Sequence, residues 1–193
     1  MYQTHNQINK IYLPIIIDLI LILVACLTYI SYNVSVVYKF GFPKSLSATY
    51  YMWNEVKSGL GFTFSIVMFV TAFCIMPGWT KMSETMSTLS HHLTILPFLS
   101  TVLIGIVGAT PTFREYNLVK MIHSISAYLA AVCAILWCCI VCYEIVWITL
   151  PASAILLLSI AFATKTHKSS ITFWFENIGI LATFTTVITQ MLI

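Results

Sequence analysis

The sequence predicts an all-α fold, a polytopic membrane helix bundle with about six transmembrane helices. Only 8% of the 193 residues are charged and 60% are hydrophobic, whereas a soluble domain carries about 25% charged residues. Several apolar runs reach the roughly 20 residues that a helix needs to cross a bilayer. These runs lack the strict alternation of membrane β-barrel strands. The chain is therefore expected to form a single integral membrane domain.

The spans follow from the apolar runs and the breaks between them. Proline interrupts a helix, so the second span is expected to end at "PGW" and the third at "TPTF". The apolar stretch 121–164 would be roughly 66 Å long as one helix, about twice the bilayer core, and is expected to turn back near Glu144. The predicted spans are 11–32, 60–76, 91–109, 121–143, 147–164 and 171–192.

The positive charge predicts an orientation. Seven of the nine Lys and Arg residues fall on the side of the first, third and fifth loops. Because cytoplasmic loops are enriched in these residues, both termini are expected to lie on the same side, outside the cell. Trp79 is then expected at the outer membrane interface. The basic residues form no run, so nucleic acid is not expected as a partner.

No cofactor and no metal ion is predicted. All six cysteines lie in apolar runs, where they are expected to be buried hydrophobic residues rather than a disulfide framework. A haem site needs histidines on facing helices, and neither the His91–His92 doublet nor His123 has a clear second ligand.

Polar residues cluster on the odd-loop side. The segment "FPKSLSATYYMWNEVKSG" at 42–59 collects hydroxyl groups between two apolar spans, and hydroxyls can satisfy backbone groups at membrane depth, where lipid cannot. The segment is predicted either to close a ligand pocket or to be an interfacial turn with tyrosines at headgroup level. The pocket candidates are Ser45, Ser47, Tyr50, Tyr51, Glu55, Arg114, His123, Glu176 and Asn177.

A second polar cluster is predicted on the side of the termini, from Asp18, His91, His92 and Glu144. A carboxylate about seven residues into a membrane helix must be protonated, paired or hydrated. Asp18 is therefore expected either to bond to a neighbouring hydroxyl or to form an ion or proton site with one of the two histidines.

Three short motifs carry a family resemblance. A proline precedes "SLSATYY" after the first span, "VGATPTF" ends the third, and "HSISAYLAA" opens the fourth. Over most of its length the chain resembles small six-helix bacterial-type membrane proteins of the DUF998 and Frag1/DRAM-like group. The resemblance implies six helices and a polar site near the first loop, but no settled reaction. In Frag1-like relatives that loop is taken to face away from the cytoplasm, which conflicts with the charge count.

Three functions are compatible with these features. The first is a non-enzymatic module that binds membrane lipids or a small ligand, or that partners another membrane protein or itself. The second is a lipid-acting hydrolase, with Ser45 or Ser47 as nucleophile, His123 as base and a glutamate to orient the histidine. The third is a proton- or ion-coupled transporter that uses Asp18 and Glu176.

Overall fold

Seven helices build the part of the chain that the structure describes. The computed structural model describes residues 2–85, 93–112, 114 and 116–193, and for residues 2–15, 84 and 85 it describes the backbone alone. All regular elements in these ranges are helices, which confirms the predicted fold class. They are α1 (Tyr2–Phe40), α2 (Thr49–Val56), α3 (Phe62–Thr85), α4 (Ile95–Ala109), α5 (Asn117–Val141), α6 (Tyr143–Ala163) and α7 (Ile171–Leu192).

Five of these helices are long and apolar enough to cross a membrane, so the chain is a multi-pass membrane protein. They are α1 from Ile16 onward, α3 as far as Ser83, and all of α5, α6 and α7. Helix α4 is apolar but has only 15 residues, which corresponds to roughly 22 Å at the helical rise. The predicted orientation relative to the cytoplasm stays a prediction.

Several helix bounds differ from the predicted ones: α1 begins at Tyr2 instead of 11, α6 begins at Tyr143 instead of 147, and α1 and α3 extend well past their predicted ends. Helix α1 continues past residue 32 and stops at Phe40, because Gly41 takes the positive φ of 75° that commonly terminates a helix. Helix α3 runs through Pro77 to Thr85 instead of ending at "PGW". The hydroxyl of Thr80 donates to the carbonyl oxygens of Met76 and Pro77 at 2.8 and 3.1 Å.

The helices pack mainly with their neighbours along the chain. Helix α3 lies between α1 and α4, α4 packs on α5, and α6 packs on α7. Helix α7 returns to α1 and α5 and closes the bundle, but these two contacts are sparse. The seams of α7 with α1 and with α5 are therefore both loosely packed.

Trp79 lies inside the bundle and not at the membrane interface where it was expected. Its side chain is 1% exposed and meets Trp137 edge to face, with 5.5 Å between the ring centroids. Trp137 donates from Nε1 to the hydroxyl of Ser83 at 2.6 Å. Trp79 is buried because it lies on the face of α3 that points into the bundle. The preference of aromatic residues for membrane interfaces does not predict which face of a helix a tryptophan occupies.

A glycine sets the close approach of α3 and α4. A Cβ atom at Gly108 would lie 3.0 Å from Cβ of Met68 and 3.3 Å from the carbonyl oxygen of Ser65. At Gly105, one turn earlier, the nearest atom would be Cε1 of Phe69 at 3.6 Å, an ordinary contact. Small residues allow membrane helices to pack closely, and here only one of the two glycines is sterically required.

We therefore expect Gly108→Ala to destabilise the bundle by about 1–3 kcal/mol, the usual effect of overpacking a tight contact. The matched variant Gly105→Ala should change the free energy of unfolding by less than about 0.5 kcal/mol. Denaturant unfolding in mixed detergent micelles measures both. Equal effects of the two substitutions would contradict the assignment of the close contact to Gly108.

Candidate functional site

The segment between α1 and α2 folds into the bundle. Residues 46–50 are all buried, and Pro43 is buried as well. Three hydrogen bonds tie the segment to the start of α7: Phe173 N–H to the Lys44 carbonyl at 3.2 Å, Ser170 Oγ to the Phe42 carbonyl at 3.1 Å, and Leu46 N–H to Glu176 Oε2 at 2.7 Å. The backbone of this segment is thus hydrogen-bonded to α7 and to the residue before it, inside the protein.

Ser47, His123 and Thr110 form a linear hydrogen-bonded chain. Ser47 Oγ lies 2.7 Å from Nε2 of His123, and both side chains are buried. On the other side of the ring, Nδ1 lies 3.0 Å from the carbonyl oxygen of Thr110. A carbonyl oxygen only accepts, and the Thr110 hydroxyl, 3.1 Å from Nδ1, already donates its hydrogen to the carbonyl of Ile106 at 2.8 Å. Nδ1 is therefore assigned the proton, and the unprotonated Nε2 accepts the hydroxyl hydrogen of Ser47.

Glu176 and Asn177 bond to different elements. Glu176 accepts the N–H of Leu46, the residue directly before Ser47, and so fixes the backbone on which Ser47 stands. Asn177 is buried, and its Oδ1 accepts the hydroxyl hydrogen of Tyr29 from α1 at 3.0 Å. Two adjacent residues of α7 therefore connect α1 and the segment 42–48, called the inserted segment from here on, to the same helix.

Ser47 and Glu176 lie at one end of a cavity within the bundle. The cavity has a volume of about 210 Å³, which exceeds the roughly 150 Å³ of an engineered apolar cavity that takes up benzene. One stripe of α3 forms a long wall, made of Phe64, Met68, Thr71, Ile75 and Trp79. Four alanines of α5 and Gly179 of α7 also line the cavity, and their small side chains leave the space open.

Two polar groups of the α3 wall have no hydrogen-bond partner. They are the hydroxyl of Thr71 and the indole N–H of Trp79, and neither atom reaches an acceptor or donor among the described residues. Thr71 is 5% exposed and Trp79 is 1% exposed. Both polar atoms are covered by protein, so a molecule in the cavity does not reach either of them without a rearrangement of side chains.

The cavity reaches the outer surface along the seam between α5 and α7. Ile135 of α5 and Phe175 of α7 both line it, yet they are 42% and 63% exposed. Ala131 lines it and is exposed too. Because both helices are long enough to lie in the membrane, the exposed side of this seam faces lipid.

The other pocket candidates lie around this site rather than in it. Ser45 Oγ accepts the N–H of Ala48 at 3.2 Å and stabilises the turn. Tyr50 is buried and packs edge to face on Tyr51. The hydroxyl of Tyr51 accepts the N–H of Arg114 at 2.8 Å, and the Arg114 guanidinium lies over the Tyr51 ring. Glu55 is exposed on α2.

The second predicted cluster is only partly described. Asp18 forms an ion pair with Lys81, in which Nζ lies 3.2 Å from Oδ2. This partner is a lysine, not the hydroxyl or histidine that the sequence suggested. Glu144 is exposed in the first turn of α6, and His91 and His92 lie outside the described residues. Within the described ranges, no three His, Cys, Asp or Glu side chains form a group that could hold a metal ion.

Sequence reasoning missed four residues of the site. Thr110 was expected to be part of a helix-ending motif, and only the fold brings its carbonyl to His123. Tyr29 lies within an apolar run, where no sequence feature indicates that it belongs to the site. Thr71 and Trp79 carried a usable signal, because with Phe64, Met68 and Ile75 they follow the spacing of three and four residues that puts side chains on one helix face.

Comparisons with protein-family models, with curated proteins and with solved structures give no match for this chain. The resemblance to the DUF998 and Frag1/DRAM-like group therefore stays a prediction, and the functional argument depends on the geometry of the site alone.

Replacing Glu176 tests whether it holds the inserted segment. Glu176→Ala leaves the Leu46 N–H without its acceptor, and we expect a loss of about 1–3 kcal/mol in the free energy of unfolding, together with faster proteolysis within residues 42–48. Glu176→Gln keeps an acceptor oxygen and should lose less. The matched control is Glu144→Gln at the exposed carboxylate of α6, which should have no effect on either measurement. Unchanged proteolysis in Glu176→Ala would contradict this role.

Proposed function

We propose that the protein binds one amphiphilic molecule of the membrane. Its polar group lies beside Ser47 and Glu176, and its apolar body lies along the α3 wall of the cavity. The observation that carries this proposal is a mostly apolar cavity that is lined by Ser47 and Glu176 at one end and by exposed residues of α5 and α7 along its side.

Water is a poor occupant for most of this cavity. An ordered buried water makes two to four hydrogen bonds, whereas the α3 wall offers mainly the apolar side chains of Phe64, Met68 and Ile75. An apolar chain fits this wall better, because it needs no hydrogen-bond partner.

The shape of the cavity supports a ligand that comes from the bilayer. The opening between α5 and α7 faces lipid, and the contact between these helices is sparse. An amphiphile can enter through this seam with its chain in lipid throughout, while its polar group passes to Ser47 and Glu176. This route avoids transfer of the apolar chain through water, which costs about 0.8 kcal/mol per methylene group.

The other hypotheses receive less support from the geometry. Transport would need Asp18 to exchange a proton or ion, and Asp18 is already paired with Lys81. Partnership with another membrane protein or with a second copy stays a prediction. The hydrolase hypothesis is favoured by one specific contact, between Ser47 and His123.

The proposal predicts that the protein purified in nanodiscs retains an amphiphile, and that filling the cavity removes it. Gly179 lines the cavity, and a Cβ atom there would meet nothing within 4 Å. Gly179→Leu should therefore fill the space without disturbing the backbone. We expect the molar ratio of retained amphiphile to fall at least tenfold, as measured by mass spectrometry of the extracted protein, while the bundle remains folded.

The matched control is Ala152→Leu, which adds similar bulk at an exposed position of α6. It should retain as much amphiphile as the original protein. Equal retention in Gly179→Leu and Ala152→Leu, or no amphiphile above the bulk lipid composition in the original protein, would contradict the proposed function.

A further inference from the structure

Ser47 differs from the other hydroxyl residues of the inserted segment in its partner. Ser45 accepts a backbone N–H, and Thr49 donates to the carbonyl of Leu46. Ser47 instead bonds to an imidazole nitrogen at 2.7 Å and also lines the cavity. A serine is a weak nucleophile unless a neighbouring base takes its proton, and this contact supplies such a base.

The orientation of His123 matches that requirement. The Thr110 carbonyl holds the proton on Nδ1, which leaves the lone pair of Nε2 directed at Ser47 Oγ. Nucleophile, base and a third group that fixes the base are the three parts of an activated serine. Burial of both side chains excludes competing hydrogen bonds from bulk water.

We propose that Ser47 is an acyl-accepting nucleophile, with His123 as its general base, and that it acts on an ester-linked amphiphile. This inference rests on the proposed function, because the substrate is the molecule bound in the cavity. The apolar wall holds the acyl chain, and the ester carbonyl lies at the end formed by Ser47 and Glu176.

The reaction balances with water as the only co-reactant. Ser47 Oγ bonds to the ester carbonyl carbon while His123 Nε2 takes the hydroxyl proton. The bond from that carbon to the leaving oxygen then breaks, and His123 returns the proton to that oxygen, which releases an alcohol. Water next attacks the acyl-serine with His123 again as base, and a carboxylic acid leaves. The sum is ester plus water giving acid plus alcohol.

The third group is a neutral carbonyl and not a carboxylate. It fixes the tautomer of His123 but adds no negative charge to stabilise the imidazolium that forms during the reaction. The expected activity is therefore slow, and a covalent trap detects it more directly than turnover does.

A long-chain alkyl fluorophosphonate provides that trap. Its phosphorus stands in for the ester carbonyl carbon: Ser47 Oγ bonds to phosphorus, the P–F bond breaks, and fluoride leaves with the serine proton. We expect one adduct on the protein in nanodiscs, located on Ser47 by peptide mass spectrometry. His123→Gln keeps a hydrogen-bonding side chain but removes the base, and the labelling rate should fall by about 10²–10⁴-fold. Ser35→Ala, at an exposed hydroxyl on α1, should label at the original rate.

Each outcome separates this inference from the proposed function. Absence of an adduct on Ser47 in a protein that still retains its amphiphile overturns the inference and leaves the binding site intact. Equal labelling rates in the original protein and in His123→Gln also overturn it, because Ser47 would then react without the base. If the original protein neither retains an amphiphile nor reacts with the fluorophosphonate, both proposals are overturned. The adduct is located on the protein with its original sequence, so the test needs no substitution of Ser47 and does not depend on the folding of such a variant.

Discussion

A backbone that is not helical at membrane depth must find every hydrogen-bond partner inside the protein, and this constraint shapes the site. The chain leaves α1 at Gly41 and runs without regular structure until α2. Lipid offers no donor or acceptor to such a segment. The start of α7 supplies them instead, and Oε2 of Glu176 accepts the N–H of Leu46. Because Ser47 follows Leu46, the position of the site depends on this bond.

The cavity is a consequence of side-chain size on two facing helices. Ala127, Ala130, Ala131 and Ala134 follow the spacing of one face of α5, and all four line the cavity. Larger residues at these positions would fill the space against α7, as leucine and phenylalanine do elsewhere in membrane bundles. The sparse contact between α5 and α7 is thus a property of the sequence of α5. The cavity, its opening to lipid and the loosely packed seam have the same origin.

Hydropathy and helix-breaking residues were sufficient to predict the fold class, because in a bilayer only helices and closed barrels satisfy the backbone. They did not predict the end of α3, since the helix continues through Pro77 as far as Thr85. For the site, the sequence placed Ser47, His123 and Glu176 on one membrane side, because each lies near a predicted helix end. It did not indicate which serine meets the histidine. Ser45 and Ser47 are two residues apart, and only the turn at residues 44–48 decides which hydroxyl faces His123.

The two unpartnered groups of the α3 wall are not equivalent. A threonine in a helix can donate to the carbonyl four residues earlier, as Thr80, Thr183 and Thr185 do here. Thr71 has the same option after a rotation of its side chain. Trp79 has no such option, because the indole N–H lies far from its own backbone and only donates. Since both atoms are covered by protein, neither selects the ligand directly, and selection depends on the polar groups of Ser47 and Glu176 at the end of the cavity.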